Sequence, residues 1–170
     1  MTVLQKITII SGGQTGADRA ALDFAIAHGI PHGGWCPRNR RAEDGSIGAQ
    51  YTLRETPSTR YAQRTEWNVR NSDATVIFTI KPHISGGTRL TRDLALRLGK
   101  PLLHLSRDAG QKASNDGASV AAPAAQLINF LNEHAVQTLN IAGPRASQEA
   151  DIASFVDHVL QYAWSDGTYT

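Results

Sequence analysis

Apolar positions along the chain switch between two periods. Short aliphatic runs at residues 6–11 ("KITIIS"), "ATVIFTI", "PLLHL" and "TLNIAG" have the length and β-branched content of strands. Between the first two, Ala20, Ala21, Phe24 and Ala25 recur at helical spacing and predict a helix over 15–28, stopped by Gly29. Helices are also predicted over "STRYAQRTEWNVRNSD" with Ser58 or Thr59 as cap, over "TRLTRDLALRLGK", over 121–134 and over 148–164. "IPHGGWCP" reads as a second strand closed by Pro37. "RNRRAEDGSIGAQYTLRETPS" reads as a long loop with a strand fragment near 51–53, and residues 107–123 as a flexible loop.

Strand–helix alternation of this kind predicts an α/β, Rossmann-like, doubly wound fold. Its sheet is mostly parallel with helices on both faces, in a single domain over 1–170. Such sheets bind ligands beyond the carboxyl ends of their strands, which directs attention to the polar sequences there.

Composition narrows the ligand. With 170 residues, 41% apolar and 19% charged, the chain suits an ordinary globular protein, and no apolar run is long enough for a membrane helix. "MTVLQKITII" lacks a signal-peptide layout, and the single cysteine cannot form an internal disulfide, so a cytoplasmic location is expected. A net charge of +2 argues against general binding to nucleic acid. Arg outnumbers Lys by about three to one, a bias toward forked recognition of phosphate or carboxylate.

"SGGQTGADR" sets the glycine amides at a helix start, where an anion is favoured. Gly12, Gly13 and Gly16 admit close approach of a ligand, and Ser11, Gln14, Thr15 and Arg19 add polar groups. No Lys follows as in a Walker loop. "SGGTRLTRD" repeats the arrangement with Ser85, Gly86 and Gly87, Thr88 as a cap and Thr91 one turn further. Arg40 and Arg41, with Arg38, follow the second strand, where a NAD-binding fold carries an acid. Glu43 and Asp44 are alternative local partners for those arginines.

Trp35 is a candidate stacking platform or a packing residue. Arg64 and Asn68 share one face of the fourth-residue repeat, with Thr65 adjoining, and Arg145 closes the last strand exit or caps a neighbouring helix. The six His are scattered without metal-ligand spacing, so no dedicated protein metal site is expected, and Cys36 reads as a packing residue. Asp18 and Asp93 stand near the glycine turns as candidate bases or as ordinary first-turn helix acids.

Taken together, "SGGQTGADRAALDFAIAHGIPHGGWCPRNRRAEDG", "YAQRTEWNVRNSDATVIF", "SGGTRLTRDLALRLGKP" and "LNIAGPRAS" resemble the molybdenum cofactor carrier proteins. These lie within the Rossmann-like SLOG set that includes the lysine-decarboxylase-like (LOG) proteins. The likeness covers about residues 6–106 and 138–165. It implies a cytoplasmic homo-oligomer, dimer or tetramer, that carries the molybdenum cofactor (molybdopterin) or a related pterin- or nucleotide-like anion. It also implies hand-over to molybdenum enzymes or cofactor-insertion proteins. Residues 12–16 would form one ligand turn and 85–88 the other.

Enzymatic relatives carry P-G-G-x-G-T-x-x-E and hydrolyse nucleoside monophosphates. Here Ser85 replaces the Pro, Arg89-Leu90 replace Gly-Thr, and Asp93 takes the Glu position. Such an N-glycosidase, using Asp93 and Arg64, and a sensor of nucleotide-derived ligands are the alternatives to a carrier.

Overall fold

Ile9 and Ile10 point to opposite faces of a strand, and both are buried, so β1 (Thr8–Ile10) sits inside a sheet covered on both sides. The computed structural model describes residues 6–108 and 118–166. From β1 the chain enters α1 (Ala17–Ala27) and returns as β2 (His32–Gly33), parallel to β1. A polar segment follows, with β3 (Trp35–Cys36), β4 (Arg41–Ala42), β5 (Gly45–Ser46) and β6 (Arg54–Glu55), and leads to α2 (Tyr61–Arg70). Then come β7 (Ala74–Thr79), α3 (Gly86–Arg97), β8 (Leu102–Ser106), α4 (Ala118–Glu133), β9 (Thr138–Ala142) and α5 (Ile152–Asp166).

The main sheet has five strands, all parallel, in the order β2-β1-β9-β7-β8. The connections β1→β2 and β8→β9 run one way across it and β7→β8 the other. Right-handed crossovers therefore put α1 and α4 on one face and α3 on the opposite one. α5 packs against α1 and α4, and α2 against α3. All six residues of β7 are buried; Val76 and Phe78 face the larger core with Ile9, Phe24, Leu127, Leu139 and Phe155. Truncating Phe78 to alanine there costs about 3–5 kcal/mol. The expected α/β architecture is the observed one.

Four local expectations change. The predicted second strand is two strands, because Gly34 (φ 122°) turns the backbone beneath Ser11. A Cβ at Gly34 would lie 2.2 Å from the Ser11 carbonyl oxygen. β2 stays in the main sheet while β3 pairs with β6, so the fragment expected at 51–53 forms at Arg54–Glu55 instead. The helix expected from Ser58 starts at Tyr61. Ser58 Oγ accepts from the Arg60 amide at 3.0 Å, and Gln63 reaches back to the Ser58 amide at 2.9 Å, which orders the turn ahead of the helix. Of the segment expected to be a flexible loop, residues 109–117 lie outside the described residues, whereas Ala118 already begins α4. No helix among the described residues is long and apolar enough to cross a membrane.

Candidate functional site

Because the sheet is parallel, the turns after β1, β7 and β9 leave from the same edge. The first turn, residues 11–16, is buried except for the partly exposed Thr15. Its polar groups are organised around Asp18, in the first turn of α1. The Asp18 carboxylate accepts from the Gln14 amide at 3.3 Å and pairs with Arg64 Nη1 at 3.4 Å, while Ser11 Oγ donates to the Asp18 carbonyl at 3.0 Å. Burial raises the Asp18 carboxyl above its ordinary range, opposed by the Arg64 charge and the Gln14 amide. An internal carboxylate therefore occupies the position at the helix start that the sequence reserves for a ligand anion.

The glycines admit neighbours rather than expose amides. A Cβ on Gly12 would sit 2.2 Å from Arg64 Nη1, so Gly12 lets the guanidinium lie flat against the turn. Gly16 (φ 83°) lies against the β9–α5 loop, where a Cβ would fall 2.4 Å from the Pro144 carbonyl oxygen.

Over this turn lies the β4–β5 hairpin. Glu43, at its tip, accepts from Thr15 Oγ1, from the Ser147 amide at 3.2 Å and from Ser147 Oγ at 2.5 Å, and it faces Arg145 Nη1 at 3.9 Å. Its own amide donates to Gln14 Oε1 at 2.9 Å. The hydroxyls of Ser147 and Thr15 hold the Glu43 carboxyl below its ordinary range. Beside it Asp44 pairs with Arg19. One carboxylate thus ties three segments together. Among the described residues three buried nitrogens around the same turn have no acceptor: Gln14 Nε2, Arg19 Nε and Arg64 Nε. All three are donors, so what the site lacks is acceptors.

Tyr61 gathers charge from three segments. The guanidinium carbons of Arg41, Arg64 and Arg145 lie 5.2, 5.7 and 5.2 Å from its ring centroid. Arg41 comes from β4, Arg64 from α2 and Arg145 from the β9–α5 loop, so the tertiary fold alone brings them together. Asp18 and Glu43 balance Arg64 and Arg145, and no ion pair among the described residues involves Arg41.

Residues 9–164 match the Circularly permutated YpsA SLOG family. The chain belongs to that family. It is also 43% identical to the crystal structure of a "Putative molybdenum carrier protein" from Syntrophus aciditrophicus SB, with a TM-score of 0.86, covering 93% of this chain and 95% of that one. No curated protein matches the chain.

Within this SLOG-family site the second glycine turn differs from the first. Ser85 is the N-cap of α3 without a side-chain hydrogen bond, Gly86 has φ 56°, and nothing approaches within 4 Å of a Cβ placed on Gly87. Thr88, expected as the cap, is buried inside the helix, and Thr91 Oγ1 donates back to the Gly87 carbonyl at 3.3 Å. The β9–α5 loop reaches this side too: Glu149 accepts from the amides of Ile80 at 2.6 Å and Lys81 at 3.2 Å.

Several predicted site residues serve the scaffold. Arg40 (φ 52°) donates to the carbonyls of Ile47, Gly48, Leu53 and Tyr51 at 2.7–3.3 Å, which shapes the long polar segment. Asn68 clamps Trp35: its Oδ1 accepts from the Trp35 amide at 2.8 Å, and its Nδ2 donates to the Trp35 carbonyl at 2.9 Å. The Trp35 ring meets Trp67 edge-on at 4.6 Å and has Arg54 at 5.8 Å. Thr65 Oγ1 donates to its own helix at the Tyr61 carbonyl, 2.9 Å away. Asp93 is exposed and binds its neighbour Arg92 at 2.7 Å, whereas Thr88, Thr91, Leu94 and Ala95 form the buried face of α3. Cys36 is buried with Leu22, Ala42, Ile47 and Tyr51. Among the described residues no group of three or more His, Cys, Asp or Glu is placed to hold a metal ion.

Tyr61 is the residue that sequence reading missed. Its only signal was its place three residues before Arg64, on the same helical face.

Proposed function

We propose that this protein binds and carries a small anionic ligand of the molybdopterin type. The observation that carries the reading is the set of buried donors without acceptors at Gln14, Arg19 and Arg64, beside the arginines around Tyr61. A pterin bearing a phosphate presents ring carbonyls, ring nitrogens and phosphate oxygens, which are the acceptors this lining requires. The similarity to a "Putative molybdenum carrier protein" supports the same ligand class. In this proposal Gln14 and Arg19 of the first turn, with Arg64, form one wall, and Ser85, Gly86 and Gly87 of the open turn the other. The molybdenum arrives as cargo with the ligand.

A holding role asks for complementary charge and hydrogen bonds, and for no nucleophile or general base. Assembly with further copies, a cytoplasmic setting and hand-over to molybdenum enzymes or insertion proteins belong to the same proposal. Native mass spectrometry of protein from a cofactor-making host tests it: the expected spectrum retains a mass matching the cofactor. Protein that retains nothing, and binds neither molybdate nor tungstate afterwards, would overturn the reading.

A further inference from the structure

Three guanidinium groups around one phenol ring repel each other, and a ring has only two faces, so at least two of the three cations share a face. Two of the charges have internal carboxylates: Asp18 at 3.4 Å from Arg64, and Glu43 at 3.9 Å from Arg145. The second separation is long for a charge-assisted hydrogen bond, and the Glu43 oxygens are already held by Thr15 and Ser147. Among the described residues Arg41 has only the Tyr61 ring. Arg64 also keeps its buried Nε without an acceptor. Positive charge and donor capacity at Tyr61 thus exceed what the protein supplies in acceptors.

We propose that Arg41, Arg64 and Arg145 form a seat for a doubly charged tetrahedral oxyanion, with the Tyr61 ring as its floor. This deepens the carrier reading and rests on it for the larger ligand to which the oxyanion belongs. It also moves the anion away from the first glycine turn, whose helix start already holds the Asp18 carboxylate. A phosphate monoester and a free oxyanion such as molybdate share the required chemistry: two charges, and oxygens directed to several guanidinium forks at once. A singly charged planar anion meets that demand poorly. Coordination by guanidinium needs no proton transfer and no bond change, so the seat holds its ligand without altering it.

Titration calorimetry on the full chain tests the seat, with inorganic phosphate, molybdate and nitrate as probes, and riboflavin 5′-phosphate against riboflavin to read the monoester. The expected result is binding of the doubly charged probes over nitrate, weakened by added salt. Arg41→Ala and Arg145→Ala should each weaken it about tenfold or more, as expected for a charge-assisted contact, and the less exposed Arg64 is left intact. Arg41→Lys should recover part of the loss, because the charge stays and the fork goes. Tighter binding of riboflavin 5′-phosphate than of molybdate supports a phosphorylated ligand in the seat, and the reverse supports a free oxyanion. Doubly charged probes that do not bind, or that bind equally well to Arg41→Ala and Arg145→Ala, overturn the seat. The carrier reading fails separately, when protein with an intact seat retains no cofactor mass.

Discussion

The two glycine turns look alike in sequence and differ in kind. At residues 11–16 the glycines are places where something else comes close: Arg64 against Gly12, and the Pro144 carbonyl against Gly16. The turn is sealed by Asp18 below and Glu43 above. At Ser85–Gly87 the chain lies open, and nothing stands within 4 Å of a Cβ on Gly87. A glycine pair after a parallel strand therefore does not by itself announce an anion cradle. Whether its amides face a ligand depends on what the rest of the fold has packed against them.

The comparison breaks most sharply at Asp18. Asp18→Ala leaves Arg64 without its buried partner and should cost about 3–5 kcal/mol in denaturant unfolding, while Asp93→Asn, well inside the helix that follows the other turn, should leave stability unchanged. Gly16→Ala comes next. Its positive φ alone implies a loss of about 1–3 kcal/mol, and the approach to the Pro144 carbonyl adds to it, readable as a lowered Tm.

The third test is pH. Glu43 has a folded pKa below its ordinary 4.5, so its contribution is complete above that value and is lost as pH falls through the folded one. Asp18 acts with the opposite sign: its raised folded pKa makes protonation favour the folded state as pH falls. Glu43→Gln should therefore flatten the decline of stability below pH 4.5, and a profile identical to that of the unsubstituted protein would show that Glu43 does not latch the hairpin. The smallest effect belongs to the open turn: Gly87→Ala should stabilise the start of α3 by about 0.5 kcal/mol, since no neighbour obstructs the methyl group and the unfolded chain loses freedom.

The fold was legible because its signals are local. "ATVIFTI" is a continuous apolar run, as a strand buried on both faces must be, and Ala20, Ala21, Phe24 and Ala25 mark the inner side of α1 without any tertiary information. The arginine cluster around Tyr61 was legible by halves. Arg41 and Arg64 were singled out by residue type, and Arg145 by its place at a strand exit. What joins them is Tyr61, an uncharged residue at a helix start, and the joining requires segments far apart in the chain. The opposite case has the same origin. Arg40 and Asn68 carry ligand-binding chemistry, but the fold turns it inward onto four carbonyls and onto the Trp35 backbone. Side-chain type says what a residue can bind; only packing says which partner reaches it first.

The kink at Gly34 also shapes what the outside of the sheet offers. β2 is a boundary strand of two residues, and after it the backbone dives under Ser11, so an incoming strand would find almost no ladder to extend. The opposite boundary, β8, runs for five residues. Accidental strand addition to this protein, in crowded or partly unfolded preparations, therefore has one side on which to begin. A lysine or proline placed along β8 would guard that side, while the other is already guarded by the turn at Gly34.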